Sequence, residues 1–285
     1  MQSLSNILVF ILVRTIFFVF EMMPLRMASD VGGFLLKNIG PLLPISKVAR
    51  DNLQKILPER AQEHGKIIRG MWENFGRTFA EYPHLKGIAA GKAGAKVEII
   101  GLENFHTFRD MGKGGLVITA HLANWEFGTY TSKQEGVPLH VVYRPPNNKL
   151  VDRLLSSARA GGAVSSIAKG SDGAKEIIRC IKSKEFIAML IDQKMNNGIE
   201  LDFMGKAAMT APAAAQLAIK YQIPMIFIWP ERIKGIHFRW TAEPPFIPAP
   251  DTDPGVLMQQ LNDKLGAWVR KHPAQWLWVH RRWKN

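Results

Sequence analysis

The chain has 285 residues, 47% hydrophobic and 21% charged, a globular balance that excludes an intrinsically disordered protein. Its 37 Lys and Arg against 24 Asp and Glu leave a formal net charge of +13, so an anionic partner or surface is expected. The one cysteine, Cys180, excludes an internal disulfide framework and a Cys-rich zinc site.

Residues 7–23, ILVFILVRTIFFVFEMM, are apolar apart from Arg14, Thr15 and Glu21. A membrane-spanning helix needs roughly 20 such residues, and this run approaches that length, but Arg14 near its middle is costly in lipid. No basic residue precedes the run and Glu21-Met22-Met23-Pro24 is a poor cleavage site, which argues against a secretory signal peptide. Residues 1–25 therefore read as an uncleaved membrane-anchor helix, either a tilted span or a helix lying in the interface. A buried helix of the globular body is the alternative. Arg26, Lys37, Lys47 and Arg50 follow with few acids between them, which places the body on the cytoplasmic side.

The remainder, 26–285, reads as one domain with a helical part over 26–90 and an α/β part over 91–285. Ile67, Ile68, Met71, Trp72, Phe75 and Phe79 recur at helical spacing and form one apolar face. Gly87–Gly94 is a break that only superficially resembles a phosphate loop. Lys86 stands where the first glycine would be and Ala93 where Ser or Thr would be, so that reading is rejected. Beyond Lys96, β-rich runs fall at Val97–Ile100, Leu116–Thr119, Leu139–Tyr143, Phe186–Ile191 and Met225–Trp229. Helical stretches are expected near 102–111, 122–134, 147–160, 171–183, 210–221 and 254–271, with an antiparallel strand at Ile236–Ala242. The alternation predicts an α/β fold with a mostly parallel central sheet flanked by helices, behind the N-terminal hydrophobic anchor helix. Cys180 lies in a helical pattern and reads as packing.

Functional groups in such sheets gather beyond the carboxyl ends of the strands. His121 stands there, after the strand Leu116–Thr119, in LVITAHLANWEFG. Glu126 is five residues on, about 500° around a regular helix, so the two do not share a helix face. They can meet if His121 sits at the turn and Glu126 on the first turns of the following helix. Glu126 would then accept a proton from one ring nitrogen and leave the other facing a substrate hydroxyl. A structural histidine at a strand end is the plainer alternative. The spacing is not that of a zinc protease, and no G-x-S-x-G marks a serine hydrolase. Two further strand ends carry Arg144 and the pair Asp192-Gln193. Arg144 can bind phosphate or pair with a carboxylate, Asp192 being a candidate, and a structural ion pair is again the alternative.

His121-Leu-Ala-Asn-Trp-Glu126 has the H-x4-D/E form of the lysophospholipid acyltransferase superfamily. Tyr143-Arg144-Pro145, Asp192-Gln193, Phe203-Met204-Gly205 with Thr210, and the terminal Gln275-Trp276-Leu-Trp278-Val-His280-Arg281-Arg282-Trp283 resemble the bacterial lipid A late acyltransferases, the lauroyl and myristoyl type. Asn74-Phe75-Gly76-Arg77 and Glu81-Tyr82 are also similar, and the resemblance runs through nearly the whole chain in order. It implies an inner-membrane protein whose catalytic domain, residues 26–285, faces the cytoplasm. It implies an O-acyltransferase that moves a fatty acyl chain from acyl carrier protein to a hydroxyl of a phosphorylated glycolipid, the lipid A precursor. It implies His121 as general base with Glu126 as its partner, and Arg144, Asp192 and Gln193 as substrate-binding residues. No metal and no cofactor is expected, because a thioester is already activated and needs only a base and an oxyanion site. Backbone N–H groups at the start of the helix after His121, or Arg144, would serve that oxyanion. Without a convincing Ser or Cys nucleophile, direct transfer is expected rather than a covalent acyl-enzyme. Another glycolipid or a lysophospholipid is the alternative acceptor. A basic, non-enzymatic membrane or nucleic-acid binder is a third reading, but no nucleic-acid-binding motif supports a nucleic-acid partner.

Overall fold

The computed structural model describes residues 3–283. Five helices lead the chain: α1 (Leu4–Met22), α2 (Leu25–Ile39), α3 (Ser46–Ile56), α4 (His64–Glu81) and α5 (Leu85–Ala89). Pro24 separates α1 from α2, since proline cannot continue a helix from within but fits at its start. The apolar face foreseen on α4 is the one it buries: Ile67, Ile68, Met71 and Trp72 all lie in the main core. α2 and α4 approach closely where glycines face each other. A Cβ on Gly76 would lie 2.2 Å from the Gly32 carbonyl oxygen, so only glycine permits that contact.

The α/β part follows as β1 (Lys96–Ile100), α6 (Leu102–Asp110), β2 (Gly115–Thr119), α7 (Gly128–Gln134), β3 (Leu139–Tyr143), α8 (Lys149–Arg159), β4 (Ser165–Ala168), α9 (Ser171–Lys182) and β5 (Phe186–Leu190). Next come β6 (Ile199–Phe203), β7 (Lys206–Thr210), α10 (Ala213–Tyr221), β8 (Met225–Lys234), β9 (His237–Ala242) and α11 (Pro254–Lys271). Seven strands form one sheet in the order β1-β9-β8-β2-β5-β3-β4. Only the β8–β9 pair is antiparallel, and the other neighbours run parallel. The mostly parallel α/β sheet read from the sequence is therefore the fold, with helices on both faces and separate cores on each side of the sheet.

Three local readings change. The strand β4 and the separate β6–β7 hairpin were not foreseen. β4 is short and polar, Ser165-Ser166-Ile167-Ala168, and lies at the sheet edge, so it lacks the apolar run that marks an inner strand. The hairpin turns on Met204-Gly205, both with positive φ, the conformation a two-residue hairpin turn requires. The helix expected over 122–134 begins only at Gly128, and residues 120–127 form an irregular loop.

Candidate active site

Strands β2, β5 and β3 are adjacent and parallel, so their carboxyl ends open on one side. Thr119 pairs with Leu190, and two residues beyond each strand stand His121 and Asp192 at the same level. The His121 Nδ1 lies 2.9 Å from Asp192 Oδ1, and the His121 backbone N–H donates to Oδ2 at 3.1 Å. Trp276 Nε1 donates to the same Oδ2 at 2.9 Å. Asp192 is fully buried, while the His121 side chain keeps 19% exposure toward the cleft. Burial disfavours the Asp192 anion, but the facing His121 and the donated hydrogen bonds outweigh it and hold the carboxyl well below the usual range. An ionised Asp192 fixes Nδ1 as the protonated nitrogen and leaves Nε2 with its lone pair.

That lone pair faces Gln193 and His280. Gln193 Nε2 lies 3.4 Å from His121 Nε2 and 3.2 Å from His280 Nε2, so one amide group bridges the two imidazoles. The rings are 5.5 Å apart, and Trp125 packs edge-on against His121 at 5.0 Å. Burial, reinforced by His121 and opposed by Asp192, pushes His280 down to about 4. His280 was not singled out as a site residue by sequence. Its only signal was its place in the aromatic, basic C-terminal motif, 159 positions from His121.

The expected pairing of Glu126 with His121 is not formed among the described residues. Glu126 is buried beside Arg159, which donates to it twice, at 2.7 Å from Nε and 2.6 Å from Nη2. Tyr82 and Trp125 donate to the same carboxylate, and Arg159 Nη2 also reaches the Tyr82 hydroxyl at 2.8 Å. Burial opposes the charge on Glu126, but the guanidinium wins and keeps the carboxyl below its ordinary value. The loop that carries Glu126 is the physical reason. Ala123 takes a positive φ, Leu122 bridges to Trp276, and the Ala123 carbonyl is held by Asn74 and Thr78 at 3.0 Å each. This turns Glu126 toward α8 rather than toward His121. The backbone donors expected at a helix start after His121 are likewise not there, since α7 starts seven residues later.

Arg144 also departs from one reading. Asp192 is committed to His121 and Trp276, and Arg144 forms no ion pair among the described residues. Arg144 instead lines the cleft with Lys169, so two cations stand at its rim. Burial and the neighbouring Arg144 lower Lys169, against the pull of Asp192. Val117, Leu139, Val141, Ala188, Ile228 and Trp240 form an apolar slot within the same cleft, whose whole free volume, His121 and the two cations included, is about 170 Å³. Cys180 is buried elsewhere, and burial pushes its thiol up to about 12, which fits a packing role.

The site thus offers an oriented imidazole, an ionised partner, an amide donor, a cationic rim and an apolar slot. These suit attack by a hydroxyl on an ester-like carbon carrying a long apolar chain. A family model described as bacterial lipid A biosynthesis acyltransferase matches residues 2–285. A phosphatidylinositol mannoside acyltransferase of Mycolicibacterium smegmatis is 23% identical over 275 residues, covering 92% of this chain and 86% of that protein. The lipid A biosynthesis palmitoleoyltransferase of Escherichia coli is 22% identical over 259 residues, covering 84% and 78%. The lipid A biosynthesis lauroyltransferase of the same organism is 22% identical over 247 residues, covering 84% and 79%. With the match spanning the helices, the sheet and the terminal clamp around His121, the chain belongs to the bacterial lipid A biosynthesis acyltransferase family.

Proposed function

We propose that the protein transfers a fatty acyl group from an acyl carrier protein thioester to a hydroxyl of a phosphorylated glycolipid, with His121 as general base and Asp192 as its partner. The observation that carries this reading is the His121–Asp192 contact at the mouth of an apolar slot. His121 Nε2 takes the proton of the acceptor hydroxyl as its oxygen attacks the thioester carbon. The C–S bond breaks as the ester C–O bond forms, and the thiolate leaves with the proton from His121. Asp192 stabilises the imidazolium formed between those events. Gln193, the amide nearest Nε2, supplies a donor for the oxyanion in place of the helix start expected from sequence. Arg144 and Lys169 take an anionic group of a substrate at the rim, and the acyl chain lies in the slot.

A lipid A precursor is the acceptor suggested by the family and by the two Escherichia coli relatives. The mycobacterial-type relative favours a second acceptor, a mannosylated phosphoinositide. Lipid extracts of a strain with and without the gene, compared by mass spectrometry, separate the two by which lipid loses an acyl chain. Purified protein with acyl carrier protein thioester and each acceptor tests the transfer directly. His121→Ala is expected to lower turnover by about 10²–10⁴-fold without loss of folding. Near-normal turnover in that variant would remove His121 as the base.

A further inference from the structure

We infer that α1 lies along the membrane surface, sandwiched between the protein body and the lipid of one leaflet, and does not cross the bilayer. Its two ends are both held by the body. Asn148 Nδ2 donates to the Asn6 carbonyl at 2.7 Å, and His84 Nε2 lies 2.9 Å from the Phe20 carbonyl. These tethers are about 21 Å apart along the helix axis at 1.5 Å per residue. A helix that crosses a hydrocarbon core of roughly 30 Å can touch a body on one side only near one end.

The faces of α1 fit this placement. At about 100° per residue, Asn6, Phe10, Val13, Phe17 and Phe20 form one stripe. With Ile16 at the edge of the stripe, these are its half-buried and buried positions, and Phe17 stacks on Phe79 and Tyr82 at 4.9 and 5.7 Å. Leu4, Leu8, Ile11, Leu12, Val19 and Met22 lie on the opposite side and are exposed. Only 11% of the most apolar window of this helix is buried, and an apolar surface of that size needs a lipid or protein cover. Arg14 and Glu21 share a flank between the two stripes and lie 3.9 Å apart. In a spanning helix Arg14 would sit near mid-bilayer, whereas on a helix lying flat it reaches the headgroups. Exposed Arg26 follows at the start of α2, and the net charge of +13 suits an anionic leaflet.

The consequence is a route for substrate. Asn148, which holds α1, is two residues from Pro146 and four from Arg144 at the cleft rim, and α8 below it carries Leu155 and Arg159 of the cleft. A lipid acceptor in that leaflet then meets the cationic rim without leaving the membrane; this route rests on the proposed glycolipid acyl transfer, whereas the topology does not.

The test uses the full chain in native membrane vesicles with single substitutions Ser3→Cys and Asp172→Cys and a membrane-impermeant maleimide. Ser3 is exposed at the start of α1, Asp172 is 96% exposed on the body, and the buried Cys180 stays silent. Both variants are expected to label from the same side without detergent. Labelling of Ser3→Cys only from the side opposite to Asp172→Cys overturns the inference, as does recovery of the protein wholly in the soluble fraction. A failed acyl-transfer assay leaves the labelling pattern untouched, so the two failures are distinguishable.

Discussion

Asp192 accepts from the His121 ring, the His121 backbone and Trp276 while fully buried, and it therefore does two jobs with one carboxylate. It sets the imidazole tautomer, and it pins the C-terminal segment to the end of β5. Asp192→Asn keeps the shape but can present an amide N–H to Nδ1, which favours the wrong tautomer. Turnover is expected to fall about 10²–10⁴-fold, with circular dichroism and substrate KM little changed. A variant with normal turnover would show that the contact is structural only. His280 gives a pH effect on stability. An unfolded histidine titrates near about 6.5, and the folded His280 at about 4. Between those values the unfolded chain binds more protons, so stability is complete above about pH 6.5 and declines as pH falls toward 4. His280→Gln keeps an acceptor for Gln193 and removes this residue's share of the slope. Urea midpoints at pH 7 and pH 5 measure it, and an unchanged slope in the variant would assign the effect to other groups.

At the scale of elements, the loop 120–127 is held in place from three directions. α4 supplies Asn74 and Thr78, the terminal segment supplies Gln275 and Trp276, and α8 supplies Arg159. Arg159→Met would leave the Glu126 carboxylate buried without its counter-charge. The expected loss is about 3–5 kcal/mol in chemical denaturation. The double variant Glu126→Gln with Arg159→Met should recover much of that loss, because no uncompensated charge remains. Equal losses in the single and double variants would mean that packing, not charge, dominates. The α2–α4 contact offers a steric counterpart. Gly76→Ala drives a methyl into the Gly32 backbone, and a melting measurement should show destabilisation beyond the 1–3 kcal/mol typical of overpacking. A melting temperature equal to wild type would show that the two helices can separate freely.

Across the whole molecule, charge and apolar surface should act separately on membrane binding. Raising salt shortens the screening length from about 10 Å at 0.1 M toward 3 Å at 1 M. Binding to anionic vesicles is expected to weaken with salt, and binding to neutral vesicles, carried by α1, to hold. Salt-independent binding to both would leave the basic surface without a role. The sequence by itself determined the apolar N-terminal helix, the mostly parallel α/β sheet and the family. Those follow from local hydrophobic periodicity and from short motifs that can be read in order, and α11 matched its expected span of 254–271 throughout. It also placed His121, Arg144 and Asp192 at strand ends, because parallel strands send their carboxyl ends to one side. The tertiary structure alone decided that Asp192 rather than Glu126 faces His121. Sequence spacing measures distance along the chain, and a loop with a left-handed residue at Ala123 does not keep helical angles. It alone brought His280 to the site and turned the terminal tryptophans into a clamp, with Trp276 on Asp192 and Trp283 on the Phe203 carbonyl at 3.0 Å. Such contacts join residues many tens of positions apart, and they exist only once strand register fixes which ends meet.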